Sequence, residues 1–184
     1  MVRSTFDVPV DIGLANAIRR SLTSDLENWA PSSVTIRENT SCQTDEYIAH
    51  RIGLIPFRRV GVGDEMTLLK TGGMAVAGDI SGLAFEAVHK GIPLMDLADA
   101  SKLDLTIHFD KKRACTHARY STCSAVGMKP LDNNTHRISF ELHDEQLNAS
   151  DVILRAIQCV EERVDRALLQ LANQPTTPPR SRCG

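Results

Sequence analysis

Cys115, His117 and Cys123 are the most metal-like group of side chains in the sequence. A fourth ligand, His50 or His108, would have to arrive from elsewhere in the fold. Zinc ribbons and fingers carry CxxC pairs, because a short loop brings two thiolates to one tetrahedral ion. No CxxC pair occurs here. The same residues suit a Cys–His nucleophile, but no carboxylate is marked out to orient the histidine. The plainer account is a buried cysteine beside a hydrogen-bonded histidine. His143, Asp144 and Glu145 form an acidic group, read as a solvated loop. Gly72, Gly73 and Gly78 lie in a glycine-rich stretch that lacks both a phosphate-loop lysine and GxGxxG spacing. HExxH and GxSxG are absent as well. The expectation is no catalytic residue, no metal and no cofactor.

Two basic pairs carry a different chemistry. Arg19 with Arg20, and His50 with Arg51, each follow an apolar stretch of helical period. Positive charge near a helix C-terminus is favoured by the backbone dipole, which is the structural account. The functional account is a charged rim for docking another protein, with arginine as a forked donor.

Both accounts need a folded frame. The chain has 184 residues and 20.2 kDa, enough for one domain or one domain with an insertion. Apolar residues make up 42% and charged residues 24%, an ordinary globular mixture, while aromatics at 4% leave an aliphatic core. The net charge of −2 gives no basic excess, which argues against direct sequence-specific binding of nucleic acid. No apolar run reaches the roughly 20 residues of a membrane helix, and the N-terminus has no signal-peptide core. Five widely spaced cysteines point to reduced thiols in an intracellular compartment.

The apolar periods divide the chain into four regions. Residues 11–29 read as a helix capped by Asp11, with Leu14, Ile18, Leu22 and Leu26 on one stripe beside Trp29, and Pro31 as its stop. Val34 and Ile36 alternate as a strand, and Thr44 caps a short helix closed by Gly53 and Pro56. Residues 58–114 hold most of the glycines and short apolar runs, including the alternating Leu105, Ile107 and Phe109, and read as a β-rich insertion. Lys111 to Arg113 reads as a turn. Strands follow, one reaching Met128 and one from Arg137 to Leu142. A helix capped by Asn148 or Ser150 then runs from Asp151 to Asn173. Its stripe is Ile153, Ile157, Val160, Val164, Leu168 and Leu171. By pattern alone that stripe fits either a cover over the domain's own sheet or a seam for a second helix.

Three consecutive segments carry a resemblance: Leu14–Arg20, Val34–Ser41 and Asp45–Pro56. They resemble the alpha-type assembly subunit of DNA-directed RNA polymerase, in its archaeal D and eukaryotic third-subunit branch. Thr116–Ser121 is similar to that branch's HAKWSP-like segment. Phe140–Leu142 and the last helix are similar to its final strand and dimerisation helix.

The resemblance implies an α+β fold. A discontinuous dimerisation domain of helices on a small antiparallel sheet, 1–57 and 115–173, would be interrupted by a small β-rich insert domain, 58–114. A flexible tail would follow, 174–184. It implies a non-catalytic scaffold that pairs with a small alpha-like subunit and docks the second-largest subunit, in the nucleus, or in the cytoplasm or a virion for a viral member. Leu14, Ile18, Leu22, Ile153, Ile157, Val160, Val164 and Leu168 would face the partner. Arg19, Arg20, Asn39, His50 and Arg51 would contact the large subunit. Many members bind zinc or an iron–sulfur cluster through cysteines in the insert, but 58–114 contains no cysteine, so no metal is expected there. Arg119, Tyr120 and Thr122 stand where lysine, tryptophan and proline are usual, the insert is short, and the family's first strand looks truncated. The alternatives are a self-pairing regulatory module and a small Cys/His metal enzyme.

Overall fold

In the computed structural model, residues 3–132 and 134–173 are described. The tail expected at 174–184 lies outside them. The described residues form an α+β fold, with three α-helices and three antiparallel sheets. The elements in chain order are β1 (Arg3–Val8), α1 (Ile12–Ser24), β2 (Glu27–Asn39), α2 (Asp45–Gly53), β3 (Phe57–Arg59), β4 (Glu65–Val76), β5 (Phe85–Ala87), β6 (Pro93–Arg113), β7 (Cys123–Pro130), β8 (His136–Leu142) and α3 (Ala149–Ala172). The sheet orders are β1-β8-β7, β2-β6-β4 and β3-β5.

The helix starts follow local chemistry. Asp11 accepts from the amides of Gly13 and Leu14, Thr44 from Tyr47, and Asn148 from Ser150, so each side chain satisfies a donor the helix cannot. The end of α1 does not follow the apolar period. The helix expected over 11–29 stops at Ser24. The Thr23 and Ser24 hydroxyls donate back to the carbonyls of Arg19 and Arg20, and the Asp25 amide closes on Ser21. From Glu27 the chain instead pairs with β6, starting opposite Arg113. Tertiary pairing overrides the helical period of Leu26 and Trp29. Pro31 is therefore inside a strand rather than a helix stop. It is tolerated because β2 is an edge strand, and the register shifts between Pro31 and Ser33.

One more expectation is corrected. Lys111 to Arg113 is not a turn but the end of the 21-residue β6, held by pairing with Glu27 to Trp29. The strand before the leading helix, β1, has six residues and pairs with β8 from Arg3↔Glu141 to Val8↔His136.

Two hydrophobic cores result. One gathers α1, β7, β8 and the first half of α3 around Ile18, Leu22, Phe140 and Ala156. The other gathers α2 and β3–β6 around Ile52, Leu68, Leu105 and Phe85, with Trp29 and Val34 of β2 against it. By packing, then, the segment 27–57 goes with 58–114.

Candidate functional site

Residue by residue, the proposed seam divides in two. Ile18, Leu22, Ile153 and Val160 are buried in the protein's own core, none more than 6% exposed. They are not open to a partner, because α1 packs directly on the first half of α3. Leu14, Val164 and Leu168 are 40%, 52% and 58% exposed, and Ile157 is partly buried.

The division follows from where α3 leaves the globule. Every residue from Glu161 to Asn173 is exposed. That stretch holds Val164, Leu168, Leu169 and Leu171, all more than half exposed. At 3.6 residues per turn, Val152, Ile153, Ala156 and Val160 share one arc, and Ile157, Val164, Leu168 and Leu171 share an adjoining arc about 80° round. The first half of α3 thus serves this chain's core, and about three turns beyond it present a bare aliphatic stripe. The base of that projection is fixed by ion pairing of Arg163 with Asp25 at the end of α1 and by Arg155 donating to the Glu27 carbonyl at 3.2 Å.

The five basic and amide candidates also divide. Asn39 is consumed internally: its amide donates to the Gln43 carbonyl at 3.0 Å and Asp45 at 2.7 Å, and its oxygen accepts from Ser41, which shapes the turn into α2. Arg51 reaches the Pro93 carbonyl at 2.5 Å and the Tyr47 hydroxyl at 3.3 Å. Arg19 bonds Asn16 on its own helix. Arg20 and His50 are exposed. They stand on helices of different cores, so the five do not form one cluster.

The cysteine and histidine group does not converge either. Cys123 is buried, its thiol donates to the Leu22 carbonyl at 3.1 Å, and burial pushes its pKa up to about 11. Cys115 is exposed. The His117 Nδ1 accepts from the backbone and side chain of Arg119 and so caps the 3-10 turn Ala118–Tyr120. Among the described residues no three His, Cys, Asp or Glu side chains are placed to hold a metal ion.

The sequence reading missed the junction between the cores. Asp144 was expected in a solvated loop, yet it is 7% exposed. The Arg58 guanidinium grips it through two hydrogen bonds of 2.5 Å, and the Gln146 amide adds a third at 2.9 Å. The arginine holds the Asp144 carboxyl below its ordinary range. Arg119 donates to the carbonyls of Pro31, at 2.8 Å, and Ser32. Its guanidinium lies against Gly53, where a Cβ would come within 3.2 Å of it. The adjacent basic residues Arg58 and Arg59, which follow Phe57 after the Pro56 stop, were the available signal.

Comparison with known proteins finds similarity to RNA polymerase subunits across most of the chain. No family model matches. DNA-directed RNA polymerase subunit Rpo3 of Methanocaldococcus jannaschii is 28% identical over 171 residues, spanning 90% of this chain and 88% of that protein. Rpo3 of Halobacterium salinarum is 30% identical over 125 residues, 64% of this chain and 50% of that protein. Subunit 3 of RNA polymerases II, IV and V of Arabidopsis thaliana is 48% identical over 46 residues, 25% of this chain and 14% of that protein. The chain is thus similar over most of its length to the archaeal Rpo3 subunit of DNA-directed RNA polymerase, and over a shorter stretch to a eukaryotic third subunit.

Proposed function

We propose that the protein is a non-catalytic assembly subunit of a multisubunit RNA polymerase, pairing with a small alpha-like subunit through α3. The observation that carries this is the bare aliphatic stripe on the last three turns of that helix. Exposed apolar surface of this extent is unfavourable in water, and each large aliphatic side chain fully covered contributes about 1.5–3 kcal/mol. Leu14, Ile157, Val164 and Leu168 are the direct seam. Ile18, Leu22, Ile153 and Val160 support it from beneath. The dimerisation unit is built on the core holding α1 and α3, and the insert on the other core. Arg20 and His50 meet the second-largest subunit, with Arg19, Asn39 and Arg51 shaping the surfaces behind them. Nucleotidyl transfer belongs to the largest subunits, and on this reading the protein works inside the cell, in the nucleus or the cytoplasm.

Co-expression with the small alpha-like subunit from the same source tests this. A stable heterodimer is expected by size-exclusion chromatography with light scattering. Val164→Asp and Leu168→Asp bury an unpaired charge in the seam and are expected to weaken pairing by roughly a hundredfold or more while the chain stays folded. Val160→Asp is expected to unfold the protein's own core instead. A chain that stays monomeric with its partner, or pairing that ignores both seam substitutions, overturns the proposal. Equally tight pairing of the chain with itself supports the self-pairing reading.

A further inference from the structure

A cleft runs along the junction of the two cores, in a part of the molecule the polymerase reading leaves unused. Two adjoining cavities of about 220 and 190 Å³ share Asn28, Trp29, Pro56 and His143 in their walls. Leu54 and Leu147, 55% and 38% exposed, add aliphatic surface at its mouth. The charge in the cleft is one-sided. Its lining contains one carboxylate, Asp144, which is committed to Arg58. Glu86, which feels Arg58, is paired with Lys90 at 2.7 Å.

Two guanidiniums remain without an acid. Arg59 donates to the Gly61 carbonyl at 3.2 Å and lies 4.1 Å over the Trp29 ring. Arg119 is held by the Pro31 and Ser32 carbonyls and by His117. Among the described residues neither arginine meets a carboxylate. Backbone carbonyls and a ring fix these side chains in place without cancelling their charge. They are therefore preorganised cations whose ordering cost is already met before any ligand arrives.

We propose that this cleft, walled by Trp29 and rimmed by Arg59 and Arg119, docks an acidic, extended segment of another protein that places one large apolar side chain in the cavity. Trp and Arg beside exposed aliphatic residues are the composition of an interface centre. A nucleic acid fits less well. Two cations make no phosphate track, the chain carries net −2, and the Trp29 ring already contacts Arg59 and Phe85, its centroid 5.5 Å from that of Phe85.

The test needs no polymerase, so its outcome is separate from that of the seam. The probes are a fluorescein-labelled short peptide of aspartate and glutamate with one central phenylalanine, its alanine counterpart, the version with lysine at every acidic position, and a short oligothymidylate. Binding to the full chain is read by anisotropy. Emission of Trp29, the single tryptophan, reports whether the cleft is the site. Saturable binding of the acidic phenylalanine peptide is expected, with a shift in Trp29 emission and a steep loss with added salt. The alanine peptide is expected to bind more weakly and the lysine peptide not at all. Arg59→Gln is expected to weaken binding about tenfold, a loss of about 1.4 kcal/mol. Leu147→Asp, which leaves both arginines intact, is expected to do the same, whereas Arg37→Glu, eight residues past Trp29 along β2 and outside the cleft lining, is expected to change nothing. Circular dichroism confirms that each variant is folded. Equal binding of the acidic and lysine peptides, indifference to both cleft substitutions, or tighter binding of the oligonucleotide overturns the proposal.

Discussion

Cys123 shows how far residue type alone carries an argument. Cysteine and histidine close together in sequence suggest a ligand set or a nucleophile. Their directions in space decide otherwise. The Cys123 thiol faces the Leu22 carbonyl, in the core under α1, and the His117 ring faces a backbone amide two residues on. Burial without a nearby cation raises a thiol's pKa and suppresses the thiolate, which is the reactive form. At a pKa of about 11, roughly one Cys123 thiol in a thousand is ionised at pH 8. Alkylation of the native protein with iodoacetamide at pH 8 is therefore expected to modify Cys42 and Cys115, both exposed, and to spare Cys123 until denaturant is added. Peptide mass spectrometry reads the order. Native modification of Cys123 at the rate of Cys42 would refute this account of its surroundings.

At the scale of elements, legibility tracked how local the cause was. The starts of α1, α2 and α3 were readable because a cap acts within three residues: Asp11, Thr44 and Asn148 each bond the first turn they precede. The end of α1 was not readable. Leu26 and Trp29 keep the helical period, but β6, more than seventy residues on, claims them for a strand or its approach. The stripe of α3 was readable in full, and only its allocation was not. Pattern gives one apolar face, whereas the point at which the helix leaves the globule lies in the packing of α1. That allocation has a dynamic consequence. A free helical segment of about three turns is marginal in water, since it lacks the packing that supplies most helical stability. Amide hydrogens from Glu161 to Ala172 are expected to exchange quickly in the isolated chain, while those from Val152 to Val160 stay protected. Adding the small alpha-like subunit is expected to slow the first group selectively. Hydrogen exchange with mass spectrometry makes the comparison. Equal protection of both halves without a partner would show that the projecting turns are held by something in the chain itself.

The whole molecule rests on contacts that no local pattern announces. Arg58 and Asp144 are 86 residues apart, and Arg119 and Pro31 are 88 apart, so only the fold brings each pair together. The first joins the core built on β2–β6 to the loop between β8 and α3, the second ties the turn Ala118–Tyr120 to β2, and Arg58, Asp144 and Arg119 all border the junction cleft. Asp144 is the titratable member. Its hydrogen bonds from Arg58 keep its folded carboxyl below the ordinary value of 3.8, against a smaller opposing effect of burial. The sign follows by linkage: the stabilisation is complete above the unfolded value and is lost as pH falls through the folded one. Asp144→Asn keeps the shape but gives Arg58 a neutral acceptor, removing charge-assisted bonds worth about 2 kcal/mol in a partly buried setting. Urea unfolding of the native sequence and Asp144→Asn is expected to differ by that order at pH 7. The two are expected to converge as pH falls below the ordinary carboxyl value of 3.8, where the native carboxyl becomes protonated. Loosening the junction is also expected to split unfolding into two steps at neutral pH, one for each core. The tryptophan signal, from the core that holds Trp29, would then part from the far-ultraviolet signal that includes α3. A gap between the two proteins that stays constant from pH 7 to pH 2 would mean that the pair does not couple the cores through its charge.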